Sequence, residues 1–100
     1  MAISASAQID LDSDYSLYQY RDTKKREIDF LIEKQNEGLA GIEVKASRKV
    51  SREDFASQIW FKENIVKNKM PYHGIILYTG EDTLSFGGGM SAVPAAALFV

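Results

Sequence analysis

Glu43 and Lys45 stand on either side of Val44 in a short apolar run, and Asp29 precedes the triplet by fourteen residues. Successive side chains of a strand point to opposite faces, so Glu43 and Lys45 share one face while Val44 takes the other. A second carboxylate from a neighbouring strand would complete two hard oxygen ligands for a divalent cation, with a lysine able to steer a water. Such a set suits metal-assisted hydrolysis of a phosphodiester.

Whether Asp29 reaches that face depends on register. Residues 27–33 and 39–46 are both rich in β-formers and are joined by Gln35-Asn36-Glu37-Gly38, which reads as a β-hairpin. A three-residue loop Asn36-Glu37-Gly38, with glycine in its left-handed last position, would set Gln35 opposite Leu39, Leu31 opposite Glu43 and Asp29 opposite Lys45. Asp29 and Glu43 then become diagonal neighbours. The other face would carry Ile28, Phe30, Ile32, Ala40, Ile42, Val44 and Ala46 and is expected to be core. A two-residue loop would mix charge into that apolar face.

The remaining elements must hold this hairpin. Tyr15, Leu17 and Tyr20 read as a preceding strand, with residues 22–25 as a polar turn, whereas residues 2–10 carry no strong period. Ser51 with Asp54 is a helix start, Val50 and Phe55 form a hydrophobic staple, and Phe55, Ile59, Ile65 and Val66 give an apolar stripe. Lys67 and Lys69 suit the negative end of the dipole and Pro71 stops the helix, which is expected over roughly 52–69. Gly74 to Tyr78 reads as a strand buried on both faces, reached by a right-handed crossover and parallel to the Glu43 strand. Residues 83–86 read as a short strand before Gly87-Gly88-Gly89, which lacks the lysine and hydroxyl of a phosphate-binding loop and reads as a surface connection.

One hundred residues suffice for one domain, expected over 1–100, with 1–14 a weakly defined segment. The net charge of −2 argues against a polyanion partner for the chain as a whole, yet from Arg21 to Arg52 nine Lys or Arg face six Asp or Glu. The motif segment is therefore locally basic. The absence of cysteine excludes a disulfide framework and thiolate metal sites. With no long apolar segment and no signal-like N-terminus, a cytoplasmic, membrane-free protein is expected.

The order of strand, strand with Asp29, strand with Glu43-Val44-Lys45, helix and strand resembles the PD-(D/E)xK nuclease superfamily. More narrowly, Tyr18-Gln19-Tyr20-Arg21-Asp22, residues 26–30, residues 41–47, residues 74–78 and the closing Ala92-Val93-Pro94 with Ala97-Leu98 resemble the C-terminal domain of a family of prokaryotic AAA-type ATPases. The likeness runs from about residue 15 to the end. It implies an α/β, restriction-endonuclease-like fold: a mixed central β-sheet with a crossover helix. The superfamily's first helix is missing or degenerate in residues 1–14. Incomplete cover of the apolar face follows, and with it a homodimer as the expected partner, or a longer protein of which this is the C-terminal piece. No GxxxxGK[ST] occurs, so ATP hydrolysis is not expected, although an ATPase module is a partner the resemblance implies.

By that resemblance Asp29 and Glu43, with the Val44 carbonyl, would bind Mg²⁺ or Mn²⁺, and Lys45 would orient the attacking water and stabilise charge on phosphate. The function so implied is a metal-dependent DNA phosphodiester hydrolase. The alternative is a non-catalytic accessory or interaction domain. Competing readings stand beside each residue. Lys45 would simply neutralise Asp29 across the sheet. Glu27 is an extra ligand or a rim charge, and Gln58 a site residue or an ordinary helix-surface glutamine. Lys24, Lys25, Arg26, Arg48, Lys49 and Arg52 contact DNA phosphates or are solvated turns. Trp60 and Phe61 are read as core or interface, and His73 as a capping or packing residue.

Overall fold

The computed structural model describes residues 2–12 and 15–99, so Met1, Ser13, Asp14 and Val100 of the segments read above lie outside the described residues. Seven strands form one mixed sheet: β1 (Ala2–Asp12), β2 (Tyr15–Arg21), β3 (Glu27–Lys34), β4 (Gly38–Val44), β5 (Tyr72–Tyr78), β6 (Leu84–Gly87) and β7 (Met90–Pro94). Their order across the sheet is β1-β2-β3-β4-β5-β7-β6. The first four form an antiparallel meander, β4 and β5 are parallel, β5 and β7 are parallel, and β6 closes antiparallel onto β7. The weakly patterned N-terminus is thus an edge strand, and the triple glycine turns β6 into β7. An α/β architecture with the expected parallel crossover is established.

The connection between β4 and β5 contains one continuous run of helical turns. It starts as a 3₁₀ turn at Arg52–Phe55, continues as α1 (Ala56–Phe61) and finishes as a π turn at Lys62–Val66, whose closing bond runs from the Lys67 N–H to the Lys62 carbonyl at 2.9 Å. The start has the expected chemistry, since the Ser51 N–H donates to the Asp54 carboxylate at 2.8 Å and the Asp54 N–H to the Ser51 carbonyl at 3.0 Å. The end comes earlier than position 69. Lys67 and Asn68 take left-handed backbone angles, φ 51° and 60°, which halt the helix at Val66.

Two expectations about the hairpin change. Lys34, not Gln35, opens the turn and lies opposite Gly38, with Leu31 opposite Gly41 and Phe30 opposite Ile42. The loop is residues 35–37, clasped by a Lys34–Glu37 ion pair of 2.6 Å, and Asn36 supplies the positive φ of 65°. Gly38 also takes a positive φ, 150°, which favours glycine, and a side chain there would press to 2.7 Å against the Pro71 carbonyl. A slip of two residues preserves the face of every side chain, so Asp29 and Glu43 still come together.

The second change is which face is core. The helical run covers the face bearing Leu31, Gly41, Tyr72, Ile76 and Ala92, where Phe55, Phe61 and Val66 pack into the sheet. The opposite face, expected to be the core, is uncovered: Phe30 is 40% and Val44 60% exposed, and Ile32, Ile42, Ile75 and Leu77 are only half-buried. β5 is consequently buried on one face rather than two. Ile28 escapes this fate through a β-bulge. Between the pairs Tyr18–Leu31 and Tyr20–Ile28, β2 advances two residues and β3 three, so Ile28 and Leu31 both point into the covered core. Strict alternation would have put Ile28 beside Phe30.

Candidate functional site

Asp29 sits within that bulge, where the ladder with β2 is interrupted and its side chain turns toward β4. There its carboxylate accepts the Val44 N–H at 3.0 Å. The N–H and C=O of a strand residue point to the same side, so the Val44 carbonyl is also directed toward β3. Glu43 lies one residue back, on the covered face beneath the helical run, and its Oε2 accepts from the Gln58 Nε2 at 3.3 Å.

Burial pushes the Glu43 carboxyl up to about 7. The Gln58 hydrogen bond opposes this, and the charges of Asp29, Asp54 and Glu27 reinforce it. At neutral pH this carboxyl therefore sits near its midpoint, crowded by like charges. Glu27 itself is exposed and pairs with Arg21 at 3.3 Å, which makes it a rim charge.

Gln58 is not on the helix surface. It is completely buried and also donates to the Ile75 carbonyl at 3.2 Å, while its Oε1 accepts the Tyr72 hydroxyl at 2.9 Å. Two glycines make room for it. A Cβ at Gly41 would lie 2.5 Å from Gln58 Oε1 and overlap the Tyr72 hydroxyl, and one at Gly74 would lie 2.6 Å from the same oxygen. Burial, with the nearby Glu43 charge, holds the Tyr72 hydroxyl well above the usual phenol range, so it stays protonated and can donate. The sequence leaves Gln58 open between site residue and helix-surface glutamine and does not single out Tyr72. The signals were present: Gln58 falls three residues after Phe55 on the apolar stripe, and interior strand glycines mark close approach.

Lys45 does not neutralise Asp29. Its ammonium pairs with Asp54 at 2.7 Å, joining the end of β4 to the first helical turn, and this lysine holds the Asp54 carboxyl below the usual range. Both partners stay partly exposed. An ammonium has three donors, so Lys45 keeps two for other acceptors.

The basic residues divide. Arg26 is committed: its guanidinium lies 3.8 Å from the centre of the Trp60 ring and 3.3 Å from Asp22. Arg52 donates to the Phe86 carbonyl at 2.8 Å, and Arg48 faces Glu81 at 4.0 Å. Lys24, Lys25 and Lys49 are exposed, in the β2–β3 turn and the β4–helix loop. Because β3 runs antiparallel to β4, both loops lie at the end of the sheet where Val44 terminates β4. Phe61 is core, and half-buried Trp60 packs against the core beside Tyr20, their ring centres 6.3 Å apart. His73 is exposed on the uncovered face.

The arrangement offers an oxygen-rich corner made of one half-buried carboxylate, one carboxylate at a bulge and one strand carbonyl, with a tethered ammonium alongside. Among the described residues, no group of three or more His, Cys, Asp or Glu converges as a metal cage. The donor set still fits a hard cation such as Mg²⁺, which keeps most of its waters and commonly takes only one or two carboxylates. No helix among the described residues is long and apolar enough to cross a membrane.

Comparison with known proteins places residues 4–98 within the Domain of unknown function DUF4143, and the chain belongs to that family. No curated protein and no solved structure matches it.

Proposed function

We propose, taking membership of this family as the premise, that the chain is a nuclease-like module hydrolysing DNA phosphodiesters with Mg²⁺ or Mn²⁺. The observation that carries the reading is the Asp29–Val44–Glu43 corner, where Asp29 accepts the Val44 N–H and stands near the Glu43 carboxyl, which burial and like charges raise to about 7. Like charges crowded in this way favour a bound divalent ion. Asp29, Glu43 and the Val44 carbonyl would hold it, and when bound it supplies charge for the phosphoryl transition state and a more acidic water.

The chain's own residues do the rest. Gln58 fixes the Glu43 carboxylate, and Lys45, held by Asp54, uses its remaining protons on the attacking water or a phosphate oxygen. Lys24, Lys25 and Lys49 at the same end of the sheet suit contacts to backbone phosphates. The restriction-endonuclease-like fold assignment belongs to this proposal, supported by the strand order and the crossover helix.

Cleavage of linear, nicked and branched DNA with Mg²⁺ or Mn²⁺, comparing wild type with Asp29→Ala and Lys45→Ala, tests the reading. Activity in wild type lost by at least a hundredfold in Asp29→Ala is expected. Inert wild type on every substrate, or full activity in both variants, sinks it. One observation favours a second reading, a non-catalytic accessory domain of an ATPase: the Lys45–Asp54 pair draws the lysine away from the two carboxylates. Inert wild type that still binds DNA or an ATPase module would select it.

A further inference from the structure

The buried amide of Gln58 has two chemically different ends, and its surroundings dictate which way round it sits. The Ile75 carbonyl can only accept, so the end facing it at 3.2 Å must be Nε2. The same Nε2 is then 3.3 Å from Glu43 Oε2, and Oε1 must face Tyr72. Since Oε1 only accepts, the Tyr72 hydroxyl is the donor. Each assignment forces the next, and the space left by Gly41 and Gly74 is filled by these same atoms.

We propose that Tyr72 is a positioning residue for the cation corner: by donating to Gln58 Oε1 it locks the amide so that Nε2 holds Glu43 Oε2, and the other Glu43 oxygen is left to take a divalent ion. The inference rests on the cation reading given above. Tyr72 touches neither cation nor substrate and acts through Gln58. The hydroxyl, not the ring, carries the role, so Tyr72→Phe removes it with the packing of the ring kept.

Mn²⁺ binding followed by titration calorimetry, with side-chain amide NMR of the cation-free protein, provides the test. Wild type is expected to bind Mn²⁺, Tyr72→Phe to bind about tenfold more weakly, and the Gln58 side-chain amide signals to shift or broaden. Gln58→Leu is expected to weaken binding similarly, and adding Tyr72→Phe to Gln58→Leu to change nothing further, because both remove one relay. Val66→Ala is the control: it destabilises the same core from outside the relay and should leave Mn²⁺ affinity unchanged at temperatures where the protein is folded. Wild-type affinity in Tyr72→Phe, or a further additive loss in the double variant, overturns the positioning role while leaving the cation corner standing. No Mn²⁺ uptake by wild type overturns both together.

Discussion

Phe30 and Leu31 are neighbours in one strand and live in different environments. Leu31 is sealed beneath the helical run, whereas Phe30, a larger apolar side chain, stands open to solvent on the other face of the same sheet. The covered face combines a dense aromatic core with a half-buried carboxylate and a fully buried amide, and the open face is apolar but unpacked. Hydrophobic character alone therefore does not locate the core. What locates it is the element that arrives to cover a face, and here the crossover helix settles on the side that also carries Glu43.

If this contrast is right, Leu31→Ala should cost about 2 to 5 kcal/mol in urea unfolding, since it leaves a cavity among buried neighbours. A loss below 1 kcal/mol would show that the covered face is not tightly packed.

Glu43→Gln gives the next largest effect, and its sign depends on pH. A carboxyl raised from about 4.5 to about 7 on folding favours the folded state while protonated, and that contribution is lost as pH rises from the unfolded value through 7. Without divalent cation, the glutamine variant should therefore match wild type near pH 4 and exceed it by about 2 kcal/mol at pH 8, the roughly 3 kcal/mol of the full shift being reduced by the partial exposure of Glu43. Equal stability at both pH values would mean that Glu43 is not desolvated.

Val44→Thr on the open face is the smallest, within about 0.5 kcal/mol of wild type in the same assay. A loss above 1 kcal/mol would mean that something covers this face in solution.

The hairpin, the capped helix and the parallel return strand were legible because each has a local signature: alternation, a Ser-x-x-Asp start and a short apolar run after a crossover. Their combination put Asp29 and Glu43 on one face although the loop lies one residue earlier than expected and the pairing slips by two, because parity survives an even slip. The core face was not legible, since apolar residues lined the uncovered side more uniformly than the covered one. Nor was the partner of Lys45, because Asp54 reads from sequence only as a cap for its own helix. Gln58 was legible only as a candidate site residue: its polarity reads as helix surface, although its spacing from Phe55 puts it on the buried side of the helix.

The bulge in β3 amounts to a shift of phase. With the extra residue between Ile28 and Leu31, two apolar side chains reach the core and the carboxylate between them turns toward β4. Remove Phe30 and the ladder with β2 becomes regular, Ile28 and Leu31 keep their places, and Asp29 rotates to the open side of the sheet. The fold would survive such a deletion in register while the corner at Val44 came apart. The spacing of this strand thus carries information that no single residue in it does.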